Sequence, residues 1–486
     1  MIHRTQWILL CVAALSLTVG CSSDGGFSTD RSCEAITCGE NATCAIESGV
    51  PLCTCNEGYE GGRQTCYDID ECALGTDDCT TLCVNTPGSF TCVAPSTCAE
   101  IQDLTDNALD GDYLLYVEGD ESKPWQAYCY DMLGTRDECR NCTLPPEDCP
   151  CDPLEYLPLV QLGATSNYAQ YEATTDGRTG KDIHTTYSKV RIDPVTFAVD
   201  VTDSVFSESM GEVIYDQQEI TIVPYGTALS CDRFDAGAAN IDLTGTPFYL
   251  TSGFCRDGFG GDGQLTISAD SRVADMSISG GCAWYRSDDA CASHPFDDTA
   301  SVLALDYSPY IRRVFVSSET VGSDIGGLVA ADAKCQELAS NAGLPGNYAA
   351  WLGSPQGHPA ERFVQYQVRY QLVDGTVVAN NWLDLSDGTL RHAIDLDESG
   401  NTPAATTIDC TGLEGVENTA VWTGTDADGE DFGVDWNCND WTGSGERFGV
   451  GSYVRSGRGW SDACRVQAPG TDVCQGQFAH LYCFEL

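Results

Sequence analysis

Basic residues are scarce in this chain: 24 lysines and arginines stand against 73 aspartates and glutamates, for a formal net charge of -49 over 486 residues. A phosphate backbone or an anionic lipid surface would be repelled, which excludes nucleic acid as a partner; cations and basic partners would be attracted. Acidity of this degree also suits any soluble exported protein, so it excludes more than it identifies. Histidine is rarer, at positions 3, 184, 294, 358, 392 and 480. No two of these fall four apart, which removes the helical His pair with an intervening Glu base needed for zincin hydrolysis. A Gly-x-Ser-x-Gly nucleophile elbow and a Walker loop are missing as well. No intrinsic enzyme is expected, although a dispersed carboxylate pair of glycosidase type leaves no sequence trace to exclude. Long apolar runs are missing after the first residues, so no later segment can span a bilayer. The length exceeds what one core serves, and about three domains is the prior.

Cysteine, by contrast, is abundant: 28 residues, clustered in the first third. That usage belongs to an oxidising compartment. The start agrees, with polar His3 and Arg4 followed by an apolar run from Trp7 to Leu17 that is too short for a stable span. The run ends Leu17-Thr18-Val19-Gly20-Cys21. This resembles the lipobox of bacterial lipoproteins, although Thr18 replaces the usual larger apolar residue. The resemblance implies a lipoprotein signal peptide over 1–21, lipidation of Cys21, and a chain exported to the outer cell surface that meets the membrane only through that N-terminal lipid; ordinary signal cleavage is the alternative. Removing Cys11 and Cys21 leaves an even number of cysteines, so all can pair. Residues 22–32, rich in Ser, Gly and Asp, form a flexible tether.

From Cys33 the spacing C-x4-C-x5-C-x8-C-x-C-x10-C, with Gly58, Tyr59 and Gly61 before the last cysteine, resembles an EGF-like module over 33–67. So small a segment needs its bridges, and the resemblance implies Cys33–Cys44, Cys38–Cys53 and Cys55–Cys66. Asp68-Ile69-Asp70-Glu71-Cys72, Cys79 and Cys83-Val84-Asn85-Thr86-Pro87-Gly88-Ser89-Phe90-Thr91-Cys92 are similar to a calcium-binding EGF module over 68–97. Carboxylate and amide oxygens suit a hard cation. The resemblance implies calcium on the side chains of Asp68, Glu71 and Asn85 and the carbonyls of Ile69, Thr86 and Ser89, with bridges Cys72–Cys83 and Cys79–Cys92. The usual last cysteine loop is replaced by Cys92-Val93-Ala94, so the module is truncated, and a vestigial module without an ion is the competing reading.

The chain from 98 to 309 reads as all-β, with alternating runs such as Asp112–Val117 and Lys189–Asp193 between Gly and Asp turns. Cys98-Ala-Glu-Ile101, Gly111–Leu114, Lys123-Pro-Trp125, Ala127–Met132, Thr185–Pro194, Val223-Pro-Tyr-Gly226 and Ala239–Phe248 together resemble the GON domain, found at the end of certain secreted thrombospondin-type metalloproteases and in bacterial proteins. Its opening loop implies Cys98–Cys129. Proximity suggests Cys231–Cys255 and Cys282–Cys291. Cys139, Cys142, Cys149 and Cys151 have spacings that zinc accepts, but in an exported chain disulfides are expected and zinc is not.

Residues 311–486 read as a strand at Arg312–Val316, a helix from about Gly327 to Asn341 ended by Gly343, and a strand at Tyr348–Leu352. With Val421–Thr425, Trp436–Trp441, Trp460 and the terminal Leu481–Glu485 run, this resembles the α+β C-type-lectin-like fold, in its endostatin-related form. The fold implies Cys335–Cys483, while the pairing of Cys410, Cys438, Cys464 and Cys474 stays open. The Glu-Pro-Asn and Gln-Pro-Asp tripeptides of calcium-dependent sugar binders are absent. Asp426, Asp428 and Glu430, with Asp435 and Asp440 near, could converge on a second calcium or form a solvated acidic turn. Trp436, Trp441 and Trp460 fit either a sugar-stacking face or the core.

The expected fold is thus multidomain and mainly β, with disulfide-rich EGF modules, a β-rich GON domain and a C-type-lectin-like domain. The expected function is adhesin- or receptor-like binding of an extracellular protein or glycan. The alternative is an accessory or targeting subunit of a secreted zinc metalloendopeptidase, linked through the GON domain.

Overall fold

A computed structural model describes Cys33 and residues 36–48, 50–62, 65–105, 107–135, 152–172, 181–215, 218–230, 235–257, 262–280, 283–286, 302–308, 310–406, 408, 418–432 and 436–486. Cys21, the tether, Cys139, Cys142, Cys149, Cys151, Cys231, Cys282, Cys291, Cys410, Asp435 and the side chain of Cys255 lie outside that description. The architecture is mainly β and multidomain, and it divides into two compact units: Met1–Asp77 with Asn85–Thr91, and Asp78–Val84 with Cys92–Leu486.

The first unit has almost no core. None of its described residues is buried, and Ile46, Val50 and Tyr67 are exposed. Antiparallel hairpins pair Ala42–Glu47 with Val50–Cys55 and Tyr59–Gly62 with Thr65–Asp68. The bridges Cys33–Cys44, Cys38–Cys53 and Cys55–Cys66 hold them. Cross-links that restrict the unfolded chain replace the apolar burial that so short a segment cannot supply.

In the second unit, the middle part of the chain builds two seven-stranded antiparallel sheets. One runs in the order Gln218–Ile220, Ser207–Tyr215, Lys181–Tyr187, Tyr168–Glu172, Ala236–Asp242, Val273–Ser279, Asp262–Ile267; the other runs Phe248–Leu250, Val302–Tyr307, Ala198–Asp200, Lys189–Ile192, Leu154–Pro158, Pro124–Tyr130, Gly111–Tyr116. Alternate residues point inward, as Ala274, Met276 and Ile278 do on Val273–Ser279. This period-two burial is what the alternating sequence specifies. Inner residues of both sheets fall in one hydrophobic cluster. The helix Cys98–Leu104, N-capped by Thr97, joins it and is stapled to the sheet by Cys98–Cys129.

The C-terminal part is α+β. Its helix Leu328–Asn341 buries Leu328, Ala331, Cys335, Leu338 and Ala339. It stops at Gly343 (φ +73°), where Leu344 N donates to Ala339 O (2.9 Å) and Gly343 N to Ser340 O (3.1 Å). That double closure requires a left-handed residue. The last strand, Phe478–Glu485, is the centre of a mixed nine-stranded sheet, antiparallel to Arg312–Val316 and parallel to Ala420–Trp422. Cys335–Cys483 ties helix to strand. Phe315 packs into one cluster and Val314 and Val316 into another, so both faces of this sheet are covered.

Several contacts join the middle and C-terminal parts. Gln367 N donates to Gly245 O (2.7 Å) and its Nε2 to Pro158 O (2.9 Å). Arg369 donates to the Glu121 carbonyl, and Asn381 Nδ2 to Gln126 Oε1 (3.3 Å). Arg272 and Arg312 both lie over the Tyr310 ring, at 4.5 and 5.0 Å from its centroid, and Arg312 also lies 3.9 Å from the Tyr366 centroid. Partly desolvated cation–π contacts of this kind favour one relative orientation.

Candidate functional site

Asp68–Glu71 and the loop residues Asn85–Ser89 of the second EGF-like module lie in the first unit. Leu82–Thr86 and Ser89–Val93 form a hairpin whose two-residue loop is Pro87-Gly88, and Gly88 takes the positive φ (+79°) that such a turn requires. The loop bends toward Asp68: Gly88 N donates to Asp68 Oδ1, and Asn85 Nδ2 donates to Asp68 Oδ2 (2.9 Å). With its NH2 committed, the Asn85 amide has its Oδ1 left for another donor or a cation. Thr86 Oγ1 donates to Ser89 O (2.9 Å), closing the hairpin mouth. Ile69 N donates to Gly58 O (3.0 Å), and a Cβ on Gly58 would sit 2.1 Å from Gly88 O. The Gly-Tyr turn of the first module therefore packs directly on the loop, and only glycine fits there.

Asp70 and Glu71 diverge in role. Asp70 Oδ1 accepts from Ala73 N (2.9 Å) and caps the short helix Glu71–Leu74. Glu71 Oε2 is buried and has no hydrogen-bond partner among the described residues. A buried oxygen of an ionisable group without a donor is costly, and a cation is the natural complement of an oxygen-only set. Asp68, Glu71 and Asn85 are of the oxygen-bearing types that calcium takes; both Asp68 oxygens already accept, from Gly88 N and Asn85 Nδ2, so the ion would share them. Cys79–Cys92 braces the hairpin, and Cys72 and Cys83 are also disulfide-bonded. Cys98, the next cysteine, bonds to Cys129 rather than back into the module.

The second acidic set behaves differently. Asp426, Asp428 and Glu430 do not converge within ligand distance of a common point. Asp426 faces Arg458 (3.2 Å) and Arg465 (3.9 Å), Asp428 Oδ1 accepts from Glu430 N (2.9 Å), and Glu430 lies 3.4 Å from His358 Nε2. Its carboxylates are spent on arginine and on the turn itself. Asp440 accepts from Ser354 Oγ (2.6 Å) and Gln356 Nε2 (2.7 Å). Trp441 and Trp460 are fully buried, so with the half-buried Trp436 they form no stacking face. Cys438 pairs with Cys474, and Cys464 is disulfide-bonded.

The segments that carry the GON resemblance converge inside the double sheet. Trp125 stands edge-on to Phe248 (5.4 Å), and Tyr187 to Tyr225 (5.2 Å). Buried Asn167 is fully used: its N–H donates to Asn240 Oδ1 (2.9 Å), its Oδ1 accepts from Tyr225 Oη (2.6 Å) and Asp242 N (2.8 Å), and its Nδ2 donates to the Gln161 and Asp242 carbonyls (2.8 Å each). Asn167 has φ +53°, and its sequence neighbourhood gives no hint of this role.

The chain matches the Calcium-binding EGF domain family over residues 68–106 and the GON domain family over 95–294. Among curated proteins it is similar to uromodulin of Mus musculus, 38% identical over 88 residues, covering 18% of this chain and 13% of that protein. Adhesion G protein-coupled receptor E5 of Bos taurus is 39% identical over 69 residues, 12% of this chain and 9% of the receptor. Nidogen-2 of Mus musculus is 32% identical over 115 residues, 21% of this chain and 8% of its own length. The chain thus spans 13% or less of the length of each of these relatives. Among the described residues no helix is long and apolar enough to cross a membrane.

Proposed function

We propose that the chain is an exported surface protein, anchored through lipidated Cys21, that binds an extracellular protein or glycan and carries calcium in its second EGF-like module. The C-terminal α+β part acts as a lectin-like recognition domain, and the chain has no active site of its own. The observations that carry the calcium reading are the buried Oε2 of Glu71, without a hydrogen-bond partner among the described residues, and the Asn85–Asp68 hydrogen bond that fixes the other two proposed ligands. Matches to the calcium-binding EGF and GON families, and to stretches of uromodulin, nidogen-2 and an adhesion receptor, support an extracellular binding role. Calcium titration of the chelator-stripped full chain by calorimetry tests the ion site. Adhesion of cells to the immobilised chain, with and without calcium, tests the binding role; no ion uptake and no adhesion would end this reading.

A further inference from the structure

The boundary between the double sheet and the C-terminal sheet holds an open cleft of about 540 Å³, within the usual range for small-ligand sites. Its floor carries two amides. Gln126 is 8% exposed, and only its Oε1 is engaged, by Asn381, so its NH2 has no acceptor among the described residues. Gln367 is 6% exposed; its Nε2 is held by Pro158 O while its Oε1 is buried with no partner among the described residues. Trp382, 5% exposed, forms a wall, and its indole N–H finds no acceptor among the described residues. The cleft thus gathers two amides and an indole that each keep one hydrogen-bonding group without a partner among the described residues, and the one fully enclosed is Gln367 Oε1.

Two charged residues line the cleft, and Glu361 is largely exposed, 3.4 Å from His358 Nε2. Arg362, the cation of the lining, is bidentate to Asp332 (2.8 and 2.6 Å) and also donates to Ala350 O (3.2 Å). That leaves no free cation for an anionic ligand. No unpaired strand edge lines the cleft for an extended peptide, since Gln126 lies on a strand flanked on both sides and the other lining residues are in loops and helices. The wall is rigid: Asn167 clamps the Gln161 carbonyl, and the Tyr310 cation–π stack fixes the neighbouring junction. Preorganised neutral donors and acceptors suit hydroxyl groups on a pyranose ring.

We propose that this cleft binds a neutral saccharide of one or two rings, distinct from the acidic loop at Asp426. The inference rests on the reading of the chain as a binder of extracellular ligands and gives that reading a place. The test is saturation-transfer NMR of the full chain with glucose, galactose, N-acetylglucosamine and lactose, run for the native chain, Gln126→Met and Gln161→Trp. Gln126→Met removes the free donor, and with it the oxygen that accepts from Asn381 Nδ2, while Gln161→Trp fills the mouth from a position whose side chain makes no hydrogen bond among the described residues. At least one sugar should bind, about tenfold more weakly in folded Gln126→Met, as the loss of one hydrogen bond predicts, and not at all in Gln161→Trp, whose melting curve should be unchanged. If Gln126→Met fails to fold, Gln161→Trp decides alone. Binding undiminished in the folded variants, or no binding by any of the four sugars, overturns the cleft. Cell adhesion measured on the same samples separates the two readings: adhesion without sugar binding sinks the cleft alone, and absence of both sinks the binding role too.

Discussion

Glu71→Gln should reverse the order of stability of native and variant chains according to whether calcium is present. Without calcium, the native chain buries a carboxylate oxygen that has no partner among the described residues, at a cost of about 1–3 kcal/mol. An amide of the same size carries no charge, so in EDTA the variant should be as stable as the native chain or more so. With calcium the balance inverts. Extracellular modules bind with Kd near 10⁻⁴–10⁻³ M, so at about 10 mM calcium and a Kd of ~0.5 mM the native state gains about 1.8 kcal/mol. For a cooperative unit of roughly 60 residues that is a rise in Tm of about 7–14 °C, and the variant should show almost none of it. Scanning calorimetry of the full chain, in EDTA and in calcium, follows the responsive transition. Asp68→Ala serves as the contrast: it strips the Asn85 side chain and Gly88 N–H of their acceptor, so it should lose the shift and also weaken the apo form. Asp428→Ala should keep the shift in full. If Glu71→Gln lowers the transition equally in both buffers, the oxygen is a structural acceptor and the calcium argument fails.

Burial pushes the Glu155 carboxyl up, partly offset by the Cys98 N–H at 2.7 Å. A raised folded-state pKa means stability that is full below the unfolded value and lost as pH rises through the folded one. Glu155→Gln should therefore gain on the native chain from pH 4 to 7 in melting experiments, and a difference independent of pH would refute the assignment. Cys335 and Cys483 close a loop of 148 residues, so replacing both with alanine should cost about 5 kcal/mol by chain entropy; a loss below about 1 kcal/mol in urea unfolding would show that the helix is held by packing alone. Cys21→Ser should move the chain from the membrane to the soluble fraction after cell fractionation, and continued membrane retention would remove the lipid anchor.

What was legible in the sequence was local. Gly327 and Gly343 bracket the helix because a left-handed residue must follow its last turn, and the alternation over Lys189–Ile192 already separates inward Val190 and Ile192 from their outward neighbours. What was not legible depends on partners far along the chain. Cys438, Asn439, Asp440 and Trp441 all adopt positive φ, from +51° to +59°, a left-handed turn costing roughly 1–2 kcal/mol per residue. It persists because Cys438 is bonded to Cys474, Asp440 is held by Ser354 and Gln356, and the Trp441 indole donates to Gly353 O (2.8 Å). None of those partners is a sequence neighbour. The acidic run at 426–430 shows the same limit: its spacing suits calcium, but Arg458 and Arg465 arrive from elsewhere to neutralise Asp426.

The motif residues of the middle part explain where function should be sought. Trp125, Tyr187, Tyr225, Asn240 and Phe248, all within segments that carry the GON resemblance, are each 5% exposed or less. They pack or satisfy one another, with burial pushing the Tyr225 phenol far above its ordinary value and keeping it neutral. Buried residues of this kind specify a fold and do not by themselves mark a ligand site. Among the buried polar atoms that have no partner among the described residues are the Glu71 carboxylate at the EGF hairpin and the Gln367 amide oxygen of the cleft, where the Gln126 NH2 also lacks an acceptor. The first is an oxygen set that asks for a cation and the second a pair of neutral groups that asks for hydroxyls, so a calcium-free chain that still binds sugar would show that the two sites work independently.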